Sequence, residues 1–146
     1  MSVLREVEEA VLARWVASWV EGAGPGPLTP YVFQDEKLEL PPEHDGPWVR
    51  VLVQQRPGGP GTLGRPGNRK MDRAGAVFAL LRQPPNRASG ALSDLAEKAR
   101  DIFENCRFGP HDLRFGAGQI GAIDAVEQGR WSGVTVEVRF DYEQIK

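Results

Sequence analysis

Gly133-Val-Thr-Val-Glu-Val-Arg-Phe-Asp-Tyr-Glu143 decides the fold class. Val134, Val136, Val138, Phe140 and Tyr142 take one set of alternate positions, and Thr135, Glu137, Arg139, Asp141 and Glu143 take the other. Successive side chains of a strand point to opposite faces, so this segment has one apolar and one charged face. A strand of that kind is half-buried and belongs in an antiparallel sheet with one face on a core. Something apolar must cover that face.

Two amphipathic helices are available to cover it. In residues 2–21, Leu4, Val7, Val11, Trp15 and Trp19 fall at helical spacing, and Val3, Val16 and Val20 widen the stripe. Ser2 can cap the start and Gly22 can stop the helix. Residues 90–107 carry Leu92, Leu95, Ala96, Ala99, Ile102, Phe103 and Cys106 on one stripe, with Ser89 as cap and Gly109–Pro110 as stop. Trp15 and Trp19 read as core residues; the other assignment is a subunit interface, where tryptophan is enriched.

The remaining strands are weaker. Tyr31–Gln34 is a short one, and the acidic stretch Asp35–Asp45 reads as an exposed loop. Trp48–Gln55 alternates well. Arg73–Arg82 is apolar at almost every position, which predicts burial on both faces, by helices or by a partner subunit. Two faint strands are expected near Asp112–Phe115 and Gln119–Val126. Between the better strands lies 57–70, PGGPGTLGRPGNRK, whose three prolines and five glycines predict a long loop or irregular hairpin arm. Arg56, Arg65, Arg69, Lys70 and Arg73 make it locally basic, suited to an acidic protein surface or passing nucleic acid, or simply solvated. The expected fold is α+β: a largely antiparallel sheet, two helices packed on it, and a long Gly/Pro-rich arm, in a single domain over 1–146.

Composition narrows the function classes. A chain of 146 residues can bury roughly two-thirds of its unfolded surface, enough for a core without staples. The formal net charge of −2 argues against a dedicated nucleic-acid binder, which needs a basic surface to displace counterions. One cysteine, Cys106, allows no internal disulfide and suits a reducing cytosol. No apolar run approaches the roughly 20 residues that cross a bilayer, and Glu6, Glu8 and Glu9 do not suit a signal peptide.

No catalytic constellation emerges. Gly59-Pro-Gly61-Thr-Leu-Gly64 matches a dinucleotide fingerprint by letters, but no helix N-terminus follows to hold a pyrophosphate. Lys70 lacks both the preceding glycine and the following Ser/Thr of a phosphate-binding loop. Cys106 with His111 could suggest a thiol and its base. The C-terminal end of a helix, though, would raise a thiol pKa rather than lower it. Glu43, His44 and Asp45, and His111 with Asp112, lack metal-ligand spacing and read as solvated turns. No enzyme, cofactor or metal is therefore expected.

Three segments carry a family resemblance. They are Thr62-Leu-Gly-Arg-Pro-Gly-Asn-Arg69, Asp72-Arg-Ala-Gly-Ala-Val-Phe78, and Ala88-Ser-Gly-Ala-Leu-Ser-Asp-Leu-Ala-Glu97 with its helix. Together with Trp48-Val-Arg-Val51 and Trp131-Ser-Gly-Val-Thr-Val-Glu-Val138, they resemble the small phage tail terminator-like proteins in order and composition. The resemblance spans roughly 2–142; the 35–47 insert and the prolines of 57–67 depart from the pattern. It implies a structural protein that forms six-membered rings, ends tail-tube polymerisation and docks the head connector, in a phage, a prophage-derived particle or a gene transfer agent. The implied partners are further copies of the chain, the tail-tube protein and the head–tail connector protein. DNA would pass the lumen without specific binding, and the particle would be assembled in a bacterial cytoplasm. On that reading the candidate subunit or tube contacts are Arg56, Arg65, Arg69, Lys70, Arg73, Trp15 and Trp19. A ring needs two different complementary patches per subunit. The doubly apolar 73–82 strand and the tryptophan-bearing helix are candidates. The second reading is another neck or tail-completion component, separated from the first by its binding partner; the third is an undetected enzyme.

Overall fold

The computed structural model describes residues 2–21, 29–34, 36–37, 46–60, 70–85 and 88–145, without the side chains of 21, 57–60, 70 and 145. The chain begins with helix α1 (Val3–Val16), which passes into a π-helical turn over Ala17–Glu21. Strands β1 (Tyr31–Phe33), β2 (Trp48–Pro60) and β3 (Lys70–Gln83) follow. Helix α2 (Gly90–Phe103) precedes β4 (Arg107–Phe108), β5 (Leu113–Ile120), β6 (Asp124–Val126) and β7 (Trp131–Ile145). The strands form one sheet in the order β1-β2-β3-β7-β5-β4, with β6 on the end of β7. The α+β class and the largely antiparallel sheet are as the sequence indicates. The parallel exception is β1 on β2, Tyr31 opposite Val49, which needs the long 34–47 connection.

The two alternating faces of β7 behave as their chemistry requires. Val134, Val136, Val138, Phe140 and Tyr142 are buried, and both helices pack over that side. Val49, Val51 and Val53 of β2 and Val77, Ala79 and Leu81 of β3 join them. From α1 come Val7, Val11, Trp15 and Trp19; from α2 come Leu92, Leu95, Ala96, Ala99, Ile102 and Phe103. Ser2 caps α1 by accepting from the Arg5 amide at 3.2 Å. Leu4 departs from the expected stripe: it is 41% exposed, on the rim of a hollow with Arg73 and Tyr142 beyond the end of the core.

Several expected boundaries shift. Residues 57–60 are strand, not loop: β2 runs through Pro57 to Pro60, with Gly59 opposite Asp72 and Pro60 opposite Met71 after an irregularity between Arg56 and Gly59. Prolines are tolerated because β1 pairs only with Val49–Val51, so among the described residues this part of β2 is a sheet edge. The rest of the expected arm, 61–69, lies outside the described residues, as does most of the acidic 35–45 stretch. Helix α2 ends at Phe103, four residues early. Asn105, with φ of 55°, takes the left-handed position that ends a helix, so Gly109–Pro110 is not the stop. Ser89 stands at the N-cap of α2 but makes no side-chain cap bond, its backbone being helical rather than extended. Cys106 lies past the helix and is half-buried rather than in the core. The two faint strands merge, since β5 continues through Gly116 and Gly118 with a bulge and only β6 is separate.

Candidate assembly surface

Strand β3 sits between β2 and β7, and the register places side chains in rows across the sheet. On the face away from the helices, Leu52 stands beside Phe78 and Phe78 beside Glu137; Arg50, Leu80 and Thr135 form the next row. Phe78, Leu80 and Leu52 are only half-buried. Strand β3 is apolar on both faces, as expected, but among the described residues no helix covers the second face. At one end of this face, Trp48 meets Trp131 edge-on with ring centroids 5.5 Å apart. The Trp48 indole N–H is buried and has no hydrogen-bond partner among the described residues.

Charge surrounds the apolar centre. Arg56 donates to Glu137 at 2.9 Å, and its guanidinium lies 5.7 Å from the Phe78 ring centre. Arg139, with its side chain 70% exposed, approaches the same Glu137 at 3.7 Å. Arg114 Nε lies 2.8 Å from Asp141 Oδ1, yet it is buried and off the hydrogen-bond axis, so the contact is coulombic rather than a well-formed hydrogen bond. Arg56, Arg114, Arg139 and Asp141 line a hollow of about 440 Å³ floored by Ala74 and Gly75. Burial lowers the pKa of Arg82, with Glu127 opposing the shift, and its guanidinium donates to the Leu81 carbonyl at 3.0 Å. From Trp48 to Arg56, the register puts six arginines on this face (50, 56, 82, 107, 114 and 139) against three carboxylates, Glu137, Asp141 and Asp124, with Glu127 also acting on Arg82. Asp72 and Glu143 share the face farther along the hairpin.

The helix side has the opposite balance. Across α1 and α2 there are six carboxylates and four basic side chains. One of the four, Arg14, is turned inward: it donates to the Ile102 carbonyl at 2.8 Å and to Cys106 Sγ at 2.9 Å, and it lies 5.0 Å from the Phe108 ring centre. That places a cation on a carbonyl at the end of α2, where the helix dipole is negative. Cys106 is thereby a packing and acceptor group beside a guanidinium, and His111 lies elsewhere, 2.6 Å from Glu6. The pair that the sequence already discounts as thiol and base thus has separate partners. Asp112 instead holds Arg107 through two contacts of 2.6 and 2.9 Å.

The expected contact residues separate. Arg56 is on the apolar-centred face. Arg73 points to the helix side, where Nε donates to Gln144 at 3.0 Å, so these two arginines do not form one patch. Lys70 starts β3 opposite Ile145, and Arg65 and Arg69 lie outside the described residues. Trp15 and Trp19 are fully buried and stacked with centroids 4.5 Å apart, so neither offers surface to a neighbour in this conformation. Arg114, Arg139 and Leu52 were not singled out by sequence; only the register across four strands places them around Phe78.

No family model matches this chain, and no curated protein sequence matches it. Solved structures do. One is similar over 95% of this chain and 96% of its own length, with a TM-score of 0.59 and 16% sequence identity. Its name states no function, and the likeness concerns the fold.

Proposed function

We propose that this chain is a structural component of a phage-type tail, a terminator that closes into a six-membered ring, ends tube polymerisation and offers the surface that docks the head connector. The observation that carries the proposal is the one-sided cover of the sheet. Both helices lie on one face, while the other face keeps an apolar centre that is only half-buried and, among the described residues, carries no helix. A subunit of a ring needs a second surface of this kind, and a catalyst does not. The order of elements supports the same reading through its resemblance to tail terminator-like proteins. The proposed partners are other copies of the chain, the tail-tube protein and the connector. DNA passes the lumen unread, consistent with a formal net charge of −2. The particle is a virion tail or a related gene-transfer particle assembled in a bacterial cytoplasm.

Polymerising tail-tube protein, imaged with and without this chain, tests the proposal. Tubes of limited length carrying an end ring are expected. Tubes that grow unchecked and bare at equimolar chain would overturn it. A second arm replaces residues 61–69 by a short glycine-containing turn. The β2–β3 ladder should survive with an unchanged circular dichroism spectrum, while capping is lost. Undiminished capping would remove the loop from the mechanism.

A further inference from the structure

We infer that the two sides of this domain are complementary to each other, so that the helix side of one copy docks on the sheet face of the next that, among the described residues, carries no helix. The inference deepens the ring reading and rests on it for its biological setting, but the argument is electrostatic and geometric.

The sheet face presents half-buried Phe78, Leu80 and Leu52 within a field of six arginines and three carboxylates. On the helix side, the two helices carry six carboxylates and four basic groups, one of them turned inward, and β3 adds Arg73, which is tied to Gln144. On α2 the outward positions include Asp94, Glu97 and Asp101, all exposed, with Lys98 as the exposed base among them. The large apolar side chains that stand exposed also favour this side. Leu4 is 41% exposed on α1, and Ile120 is 37% exposed on the helix-facing side of β5, opposite Val136. Each side thus offers what the other lacks: excess positive charge around an apolar centre, against excess negative charge with flanking apolar groups.

A sheet face placed against a second sheet face would set arginines against arginines. The charge pattern therefore disfavours a two-fold, face-to-face dimer and favours a head-to-tail contact. Because the two faces are on opposite sides of one sheet, every docked copy exposes a fresh face. Such contacts either close into a ring or continue as a filament.

The test uses two variants of the full chain. The sheet-face variant is Phe78→Asp with Arg139→Glu; Arg139→Glu alone serves as a gentler version at a side chain that is 70% exposed. The helix-face variant is Glu97→Arg with Asp101→Arg, both exposed. Wild type is followed by native mass spectrometry and sedimentation over a concentration series. It should assemble at about 50 mM salt and weaken at about 500 mM, as screening requires. Each variant alone should raise the dissociation constant by about tenfold or more, leaving monomer. Mixed in equal amounts, the variants should form a one-to-one dimer that grows no further, because one intact face of each remains. The inference is overturned if either variant assembles like wild type, if the mixture stays monomeric while wild type assembles, or if wild type stays monomeric throughout. Tube capping is scored separately. Variants that still cap would leave the ring reading standing without this joint. A wild type that assembles but never caps would do the reverse.

Discussion

Gly75 shows how closely the core is fitted at the scale of a single residue. A Cβ there would come 2.5 Å from Phe140 Cζ and 2.7 Å from the Gln54 carbonyl oxygen. The aromatic ring could turn, but the backbone oxygen belongs to the β2–β3 ladder and cannot. Phe140 in turn packs on Phe115 with centroids 5.2 Å apart, and Phe115 on Phe103 at 5.3 Å. Gly75→Ala should therefore lower stability by roughly 1–3 kcal/mol, read from the midpoint of denaturant unfolding. An unchanged midpoint would mean that the strands separate at no cost. Tyr142 carries a pH prediction. Burial raises its phenol above the ordinary value, with Arg73 and the 3.1 Å bond to Gln55 acting in the opposite sense. The unfolded phenol ionises near pH 10, before the folded one, so above that pH the unfolded state binds fewer protons. The Tyr142 contribution is thus fully present below about pH 10 and is lost as pH rises through the folded value. Ultraviolet titration should show one tyrosine ionising late, and Tyr142→Phe should remove it.

At the scale of elements, the end of α2 is the sharpest case. Asn105 has a φ of 55°, and its amide donates to the Gly116 carbonyl at 3.0 Å, tying the helix exit to β5. A β-branched residue is strained in the left-handed region, whereas glycine is at ease there. Asn105→Val should cost about 1–2 kcal/mol and Asn105→Gly close to nothing, measured as paired thermal melts. Equal melts for the two would show that the turn relaxes to another backbone. The same exit is held by Arg14, whose fork reaches the Ile102 carbonyl and Cys106 together. In β2, by contrast, the prolines that argued for a loop sit in an edge segment. There a missing N–H removes no ladder bond to β1, and it also discourages unwanted strand pairing.

At the scale of the molecule, β7 is the keystone. It pairs with β3 over its whole length, with β5 and with β6, and it supplies five buried side chains to the core. β5 and β6 directly precede it, but its longest partner, β3, lies before α2 in the chain, so that ladder closes only after a long loop is formed. Folding is expected on the millisecond-to-second scale typical of non-local β pairing, and a chain ended before Trp131 should not fold. Proton NMR of that truncated chain should show no dispersed amide signals. A dispersed spectrum would mean that β2, β3 and the helices form an independent unit.

The sequence by itself determined what depends on local periodicity. The alternation in 133–143 assigned a half-buried antiparallel strand, the four-residue spacing of Val7, Val11, Trp15 and Trp19 assigned a helix, and the resulting α+β class holds. It also exposed β3 as apolar on both faces, because that property belongs to composition. Tertiary structure decided the rest. Whether Pro57 and Pro60 end a strand depends on whether their side of β2 is an edge, which no local window records. Whether Arg56 and Arg73 share a patch depends on strand parity, and that puts them on opposite faces. The ring of arginines about Phe78 is drawn from β2, β3, β5 and β7, residues far apart in the chain that only the register makes neighbours. Alternation says that a strand has two faces; only the packing of the helices says which of them, among the described residues, carries no helix.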